Sequence, residues 1–187
     1  MLNYFLISLQ IFGIYILADF FTGLFHWWED TYGNPRWPIL GKYIILPNLN
    51  HHLKPRAIVE STYWNRVKLS VLVAIILIAG LAFLKLLSWQ ICFFLFLASQ
   101  GNEFHAITHR TERENGLFIT MLQKMKILQS KKEHGLHHTK PYDKNFCVMT
   151  SFTNNILTKF KFWFHLEKFL SFYGIEPLRG SSERNFA

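Results

Sequence analysis

Two runs of apolar residues constrain this chain more than any other feature. One extends from Asn3 to Phe25, broken by Asp19 and a few small or hydroxyl residues, and the other from Val67 to Leu84 with almost no polar atoms. Each covers the roughly 20 residues that an α-helix needs to cross about 30 Å of hydrocarbon. Composition agrees: half of the 187 residues are hydrophobic and 17% are aromatic, too greasy for an ordinary soluble domain of this length. The first run has no Lys or Arg before its apolar core and continues directly into His26-Trp27-Trp28-Glu29-Asp30, so it is read as part of the mature protein rather than a signal peptide. A third run, Trp89 to Ser99, reaches spanning length only by continuing through Gln100-Gly101-Asn102-Glu103 to about His105. Polar groups inside a membrane usually face a protein interior or a site, which makes that continuation a functional hint.

The predicted fold class is all-α: an integral membrane helical protein with three spans, or four if a further stretch inserts, and a cytoplasmic histidine-rich cap with interfacial amphipathic helices. The expected spans are about 3–26, 67–87 and 88–109, within a single membrane-embedded domain over residues 1–187. Lys85 alone falls in the tight connection between the second and third runs. The positive-inside rule then puts the loop between the first two runs, and everything after the third, in the cytoplasm, with the N-terminus on the other side. Pro47-Asn48-Leu49-Asn50 reads as an irregular stretch in that first loop. Residues 117–128 and 160–172 read as amphipathic helices at the membrane surface, the former also as a poor fourth span. The chain from Arg179 on, and residues 180–187 in particular, is expected to be a flexible tail. The net charge of +8 is what topology signals and contacts to anionic headgroups produce, so nucleic acid is not an expected partner. Cys92 and Cys147 lie in different compartments of this topology and give no basis for a disulfide.

Eight of the nine histidines fall in four groups: His26 with Asp30; His51-His52; His105 with His109; and His134 with His137-His138. The topology gathers all four at one membrane face. Spacings of three and four stack side chains on one side of a helix, which applies to His105/His109, to His134/His137/His138 and to His26/Asp30. Neutral imidazole suits iron, copper, nickel or zinc, and a ligating imidazole needs an acceptor on its other nitrogen. Asp30, Asp19, Glu29 and Glu103 are candidates for that acceptor, and Asp30 also for a direct ligand. His165, alone among aromatics and lysines, is read as an ordinary surface residue. A single catalytic zinc uses three protein ligands, so eight imidazoles point to two ions with about four nitrogens each.

The ordered set Ala18-Asp19-Phe20-x-x-Gly23-x-x-His26-Trp27-x-x-Asp30, His51-His52-x-x-Pro55, His105-x-x-x-His109 and His134-x-x-His137-His138-x-x-Pro141 resembles the plasmanylethanolamine desaturase family, also called the lipid desaturase or Kua-type family. The resemblance runs from about Ala18 to Phe152, and more loosely to Glu176-Pro177. It implies a membrane desaturase of intact phospholipids with a di-iron site held by His26, His51, His52, His105, His109, His134, His137 and His138, and dioxygen as co-substrate. One branch of the family turns an alkyl ether lipid into a vinyl ether, the plasmalogen bond, and a plant branch desaturates an acyl chain near its carboxyl end. Between Asn50 and Trp64 this chain is shorter than mammalian members, which carry an acidic insert there.

Taking two unactivated hydrogens from a saturated tail exceeds what any side chain can do, so a metal cofactor must supply the oxidant while the protein supplies position. Two of the four electrons that reduce dioxygen must come from outside. The chain has no dinucleotide fingerprint, haem attachment motif or Cys-x-x-Cys, so the expected partner is an external donor of the cytochrome b5 or ferredoxin type with its reductase. Three other readings stand beside this one: a hydroxylase using the same histidines, a haem-binding electron carrier, and a metal-binding structural or transport protein. The residues alone leave open the headgroup, the bond oxidised, ether against ester, and the oligomeric state.

Overall fold

The structure, a computed structural model, describes residues 2–179. Among them there are helices and turns but no strand. Helix α1 (Leu2–Tyr32) has 31 residues, about 46 Å at a rise of 1.5 Å each. That is longer than the hydrocarbon needs. If its N-terminal two-thirds crosses, its last turns, with His26 and Asp30, project beyond the apolar layer.

After α1, a π-helical turn (Gly41–Ile45) leads into α2 (Leu46–Leu53). This corrects the expectation that Pro47-Asn48-Leu49-Asn50 is irregular. Pro47 sits in the first turn of α2, at the junction with the π-helical turn, where the fixed φ of proline suits the helix. His51 and His52 are therefore on a helix. A single turn, α3 (Ala57–Glu60), follows, and then α4 (Tyr63–Phe83), which starts earlier than the expected span because the Thr62 side chain caps it by accepting from the Asn65 N–H at 3.3 Å.

Helices α1 and α4 are long and apolar enough to cross a membrane. Of the most apolar 18-residue stretch, only 11% is buried in α1 and 17% in α4. The core helix of a soluble protein is mostly buried, whereas here Leu2, Phe5, Phe12, Leu72, Ile75 and Ile76 all face outward. Such surfaces need an apolar solvent.

The expected third span is two helices, α5 (Trp89–Ser99) and α6 (Gly101–His109), separated at Gln100. The polar residues at the break are consumed by α4. The Ser70 hydroxyl donates to the Ser99 carbonyl at 2.7 Å, the Tyr63 hydroxyl to Gln100 Oε1 at 2.7 Å, and the Asn102 amide to the Arg66 carbonyl at 3.0 Å. Glu103 is gripped by Arg66 at 2.6 Å and Arg110 at 2.7 Å. The polar continuation is a clamp between helices at the end of the bundle, and through it α6 is aimed.

Helix α7 (Glu112–Lys124) opens with a Thr111/Glu114 capping box and is broken at Gly116, whose φ of 70° is left-handed. The stretch read as one amphipathic helix over 117–128 thus ends at Lys124, with Leu117, Phe118 and Met121 outward. Then come α8 (Lys131–His134), with a Ser130/Glu133 capping box, α9 (Ser151–Lys159) and α10 (Phe162–Phe172). Trp163 of α10 stacks on Trp27 with ring centres 5.6 Å apart, while Phe164, Phe169 and Phe172 stay exposed.

Between α8 and α9 runs a buried non-helical segment, Phe146 to Thr150, with no strand beside it among the described residues to satisfy its backbone. Side chains do most of this instead, beside one main-chain bond from the Gln129 N–H to the Met149 carbonyl at 2.8 Å. Asp19 of α1 accepts from the Met149 N–H at 2.8 Å, the Thr150 N–H at 3.1 Å and the Thr150 hydroxyl at 2.9 Å. Asn154 brackets Cys147, accepting from its N–H at 3.1 Å and donating to its carbonyl at 2.8 Å. Gly23 allows the close approach: a Cβ there would lie 2.5 Å from Cys147 Sγ and 3.0 Å from its backbone. This strut carries the carbonyl of Phe146 to the histidines.

The described end of the chain is not frayed. Leu178 donates its N–H to the Thr31 carbonyl at 2.7 Å, and Arg179 pairs with Glu167 at 2.8 Å and donates to the Tyr142 carbonyl at 3.1 Å. A planar guanidinium can hold three elements at once, which is why Arg179 ends as an anchor. The expectation for 180–187 lies outside the described residues. Both cysteines are free.

Candidate metal centre

The four histidine groups converge, and they sort into two adjoining sets. His51, His105, His109, His134 and His138 form one; His26, His52, His137 and Asp30 form the other; within each set one ligand-type atom per residue lies within 4.8 Å of all the rest. The sets share walls: the rings of His26 and His105 are 4.9 Å apart and those of His52 and His138 are 4.8 Å apart. Beside the expectation of about four nitrogens for each ion, the side chains group as five imidazoles in one set and three plus a carboxylate in the other.

Helix geometry explains the sorting. Consecutive residues on a helix point about 100° apart. His51 and His52 on α2 therefore face different sets, and so do His138 and His137 in the turn after α8. His105 and His109, four apart on α6, face the same one, with Nε2 atoms 3.2 Å from each other; His134 and His138 show the same separation. Two nitrogens bound to one ion at about 2.0–2.1 Å are spaced about 3 Å apart. Those pairs have the spacing of ligands to a common cation.

Main-chain carbonyls orient several rings. The Nδ1 of His26 meets the Phe146 carbonyl at 3.0 Å, that of His137 the Lys144 carbonyl at 2.9 Å, and that of His51 the Asn48 carbonyl. Donating from Nδ1 leaves the lone pair on Nε2, and Nε2 of His51 has no hydrogen-bond partner. Asp30 joins the second set at 3.0 Å from His52 Nε2, 3.1 Å from His137 Nε2 and 3.5 Å from His26 Nε2, and the Asn48 amide donates to it at 2.6 Å.

Burial keeps His51, His134 and His138 neutral. It pushes His51 and His134 well below the ordinary imidazole range, with neighbouring rings adding to the effect, and pushes His138 down to about 2. Neutral rings are the metal-binding form. In addition, Nε2 of His51 and Nδ1 of His52, His134 and His138 are buried without a hydrogen-bond partner. At about 1–3 kcal/mol each, leaving them so costs several kcal/mol, a large share of the net stability of a typical domain. A cation within either set would take lone pairs from several of its rings at once. A nitrogen-rich set with one carboxylate fits iron, copper, nickel or zinc and does not fit magnesium or calcium.

The sequence model of the lipid desaturase domain matches residues 15–179. The chain belongs to the lipid desaturase family. By family it is an oxidoreductase. Among its relatives, a probable fatty acid desaturase of Acanthamoeba polyphaga mimivirus is 34% identical over 90% of this chain and 85% of its own. Fatty acid desaturase 4, chloroplastic, of Arabidopsis thaliana is 33% identical over 91% of this chain and 54% of its own, and plasmanylethanolamine desaturase 1 of Mus musculus is 31% identical over 81% and 60%. This chain thus spans little more than half of the plant and mouse proteins. No solved structure matches it.

In this lipid desaturase, Asp19 and Glu103, two of the four carboxylates considered as acceptors, serve elsewhere: Asp19 pins the 146–150 strut, and Glu103 is taken by two arginines. Glu29 belongs to neither set and is half-buried beside Asp30. His165 is exposed on α10 against Phe164, apart from the cluster. The residues that escaped sequence reasoning are Asn48 and the three carbonyl acceptors. A carbonyl is carried by every residue, so nothing in the letters marks the ones that matter.

Proposed function

We propose that this protein is a dioxygen-dependent di-iron desaturase of intact phospholipids, forming the vinyl ether bond of a plasmalogen from an alkyl ether phospholipid. The observation that carries this reading is the pair of adjoining buried ligand sets at one end of the helices. His51, His105, His109, His134 and His138 would hold one ion, and His26, His52, His137 with Asp30 the other. Bound iron would supply, with dioxygen, the oxidising power to take two hydrogens from neighbouring saturated carbons. The chain's own contribution is position: Asn48, Phe146 and Lys144 carbonyls fix the rings, and burial holds His51, His134 and His138 neutral. Overall, alkyl ether, dioxygen, two electrons and two protons give alkenyl ether and two waters. The electrons would come from an external cytochrome b5- or ferredoxin-type donor with its reductase.

Depth supports a bond close to the glycerol. With α1 crossing by its first 20 or so residues, His26 and Asp30 fall near headgroup level. On this reading α5 and α6 together make a third crossing, the N-terminus is non-cytoplasmic, and the ligand sets and C-terminus are cytoplasmic. Hydrogens on a carbon next to ether oxygen are the easier to remove, and relatives in mouse and in Myxococcus xanthus are named plasmanylethanolamine desaturases. The second reading, desaturation of an acyl chain near its ester, is favoured by the relative named fatty acid desaturase 4. The test is to feed an alkylglycerol precursor to cells expressing the protein with a competent reductase. Acid-labile lipids that release aldehydes are expected; their absence, with a new acyl double bond near the ester, would establish the second reading instead.

A further inference from the structure

A cleft of about 170 Å³ opens onto the first ligand set, lined by Pro55, His109, Lys131, His134, Gly135 and His138. It is smaller than the roughly 300–1,000 Å³ of pockets that engulf a drug-sized ligand. It admits part of a lipid, not the whole. Three of its walls are imidazoles of the first set, and Nδ1 of His134 and of His138 have no hydrogen-bond partner.

Two cations stand near this opening. Arg56, next to Pro55, is committed: its guanidinium makes a bidentate pair with Glu114 at 2.9 and 2.7 Å. Lys131 lines the cleft itself, is exposed, and has no carboxylate within ion-pair distance among the described residues. Its neighbours in the chain do not neutralise it either, because Glu133 is turned back onto Ser130, whose hydroxyl donates to it at 2.8 Å. A free ammonium is thus poised at the rim of an opening onto buried metal-binding side chains.

The substrate's own chemistry gives that charge a purpose. In a phospholipid oxidised at the first carbons of a glycerol-linked chain, the phosphate is separated from the reacting carbons only by the short glycerol. A site that holds the carbons against the ligand set therefore has a phosphate oxyanion no farther off than the length of a glycerol. We propose that Lys131 is the phosphate subsite of this enzyme, binding the phosphodiester of the lipid substrate at the mouth of the cleft while the adjoining carbons enter toward His109, His134 and His138. This rests on the reading of the protein as a phospholipid desaturase acting near the glycerol, and it makes Lys131 a binding residue that sets specificity for a phosphate-bearing lipid.

The experiment compares two lipids with identical chains, an alkyl-acyl glycerophosphoethanolamine and the alkyl-acyl glycerol that lacks the phosphate. Binding of each to the purified metal-loaded protein in neutral detergent is measured for wild type, Lys131→Gln, Lys131→Arg and Lys132→Gln. A charge-assisted contact is worth roughly tenfold or more in affinity. The preference for the phosphate-bearing lipid should fall by at least about that factor in Lys131→Gln, persist in Lys131→Arg, and match wild type in Lys132→Gln, whose exposed ammonium is outside the cleft. An unchanged preference in Lys131→Gln overturns the proposal. So does an equal loss for both lipids, which would mean a role in the fold or in donor docking. Displacement of the lipid by millimolar inorganic phosphate would make this a free-anion site and overturn the lipid assignment. Turnover of the same two lipids is scored separately: a Lys131-dependent preference in binding, without vinyl ether formation by wild type, would sink the proposed reaction and leave the subsite standing.

Discussion

Two histidine doublets do the sorting at the residue scale. His51-His52 and His137-His138 each send one ring to each set, and this much was legible from spacing: the doublets, the pair four apart on α6, and Asp30 four after His26 all announced convergence. What spacing could not tell was how the rings divide, because five against three plus Asp30 depends on where α2 and α8 sit relative to α1. Nor could it find the carbonyl acceptors of Asn48, Lys144 and Phe146. Removing one ligand from a set leaves its ion held by fewer arms, and even outer partners of such ligands are worth 10- to 100-fold in metal affinity. Alanine at any of the eight clustered histidines, or at Asp30, is expected to lower bound iron below two per chain and turnover by about a hundredfold or more. His165→Ala should retain both. Iron analysis of the purified variants checks this, and full iron content in two or more of the clustered variants would refute the assignment.

At the scale of elements, the site depends on a segment that is not a regular element at all. The strut from Phe146 to Thr150 lies against α1 because Asp19 and Asn154 replace the strand it lacks and because Gly23 offers no side chain in its path. Motif reading flagged Asp19 and Gly23 but aimed Asp19 at the metals; a carboxylate with three donors from one distant segment cannot be recognised before that segment is positioned. Gly23→Ala would force a methyl group into Cys147, and overpacking of this kind costs about 1–3 kcal/mol. A lowered melting temperature is expected, together with weakened iron retention as the Phe146 carbonyl moves off His26. Gly80→Ala meets nothing within 4 Å and is the control, expected to be neutral or slightly stabilising in its helix. Equal melting temperatures for the two variants would show that the strut bears no strain from position 23.

The whole molecule is a short bundle whose outward faces are apolar and whose polar chemistry sits at one end. Hydropathy was sufficient to find α1 and α4, since length and apolar content are what mark a helix able to cross a membrane. It was insufficient for α5 and α6, where the break at Gln100 is set by Ser70, Tyr63 and Arg66 of a different helix. The expected topology can be read with single cysteines on a background lacking Cys92 and Cys147: a label that cannot cross the membrane, applied outside intact cells, should reach residue 2 and the Lys85 turn but not positions in α8 or α10. Labelling of α8 from outside would invert the orientation. The division of each doublet between two sets also bears on how such a protein can vary. A one-residue insertion or deletion just before either doublet would shift both rings by one position, moving one ring into the other's place and the second out of the centre, so neither half of the centre can be altered by itself. Drift in chain length is therefore expected to be confined to loops such as 54–61 and to avoid the turns that immediately precede positions 51 and 137.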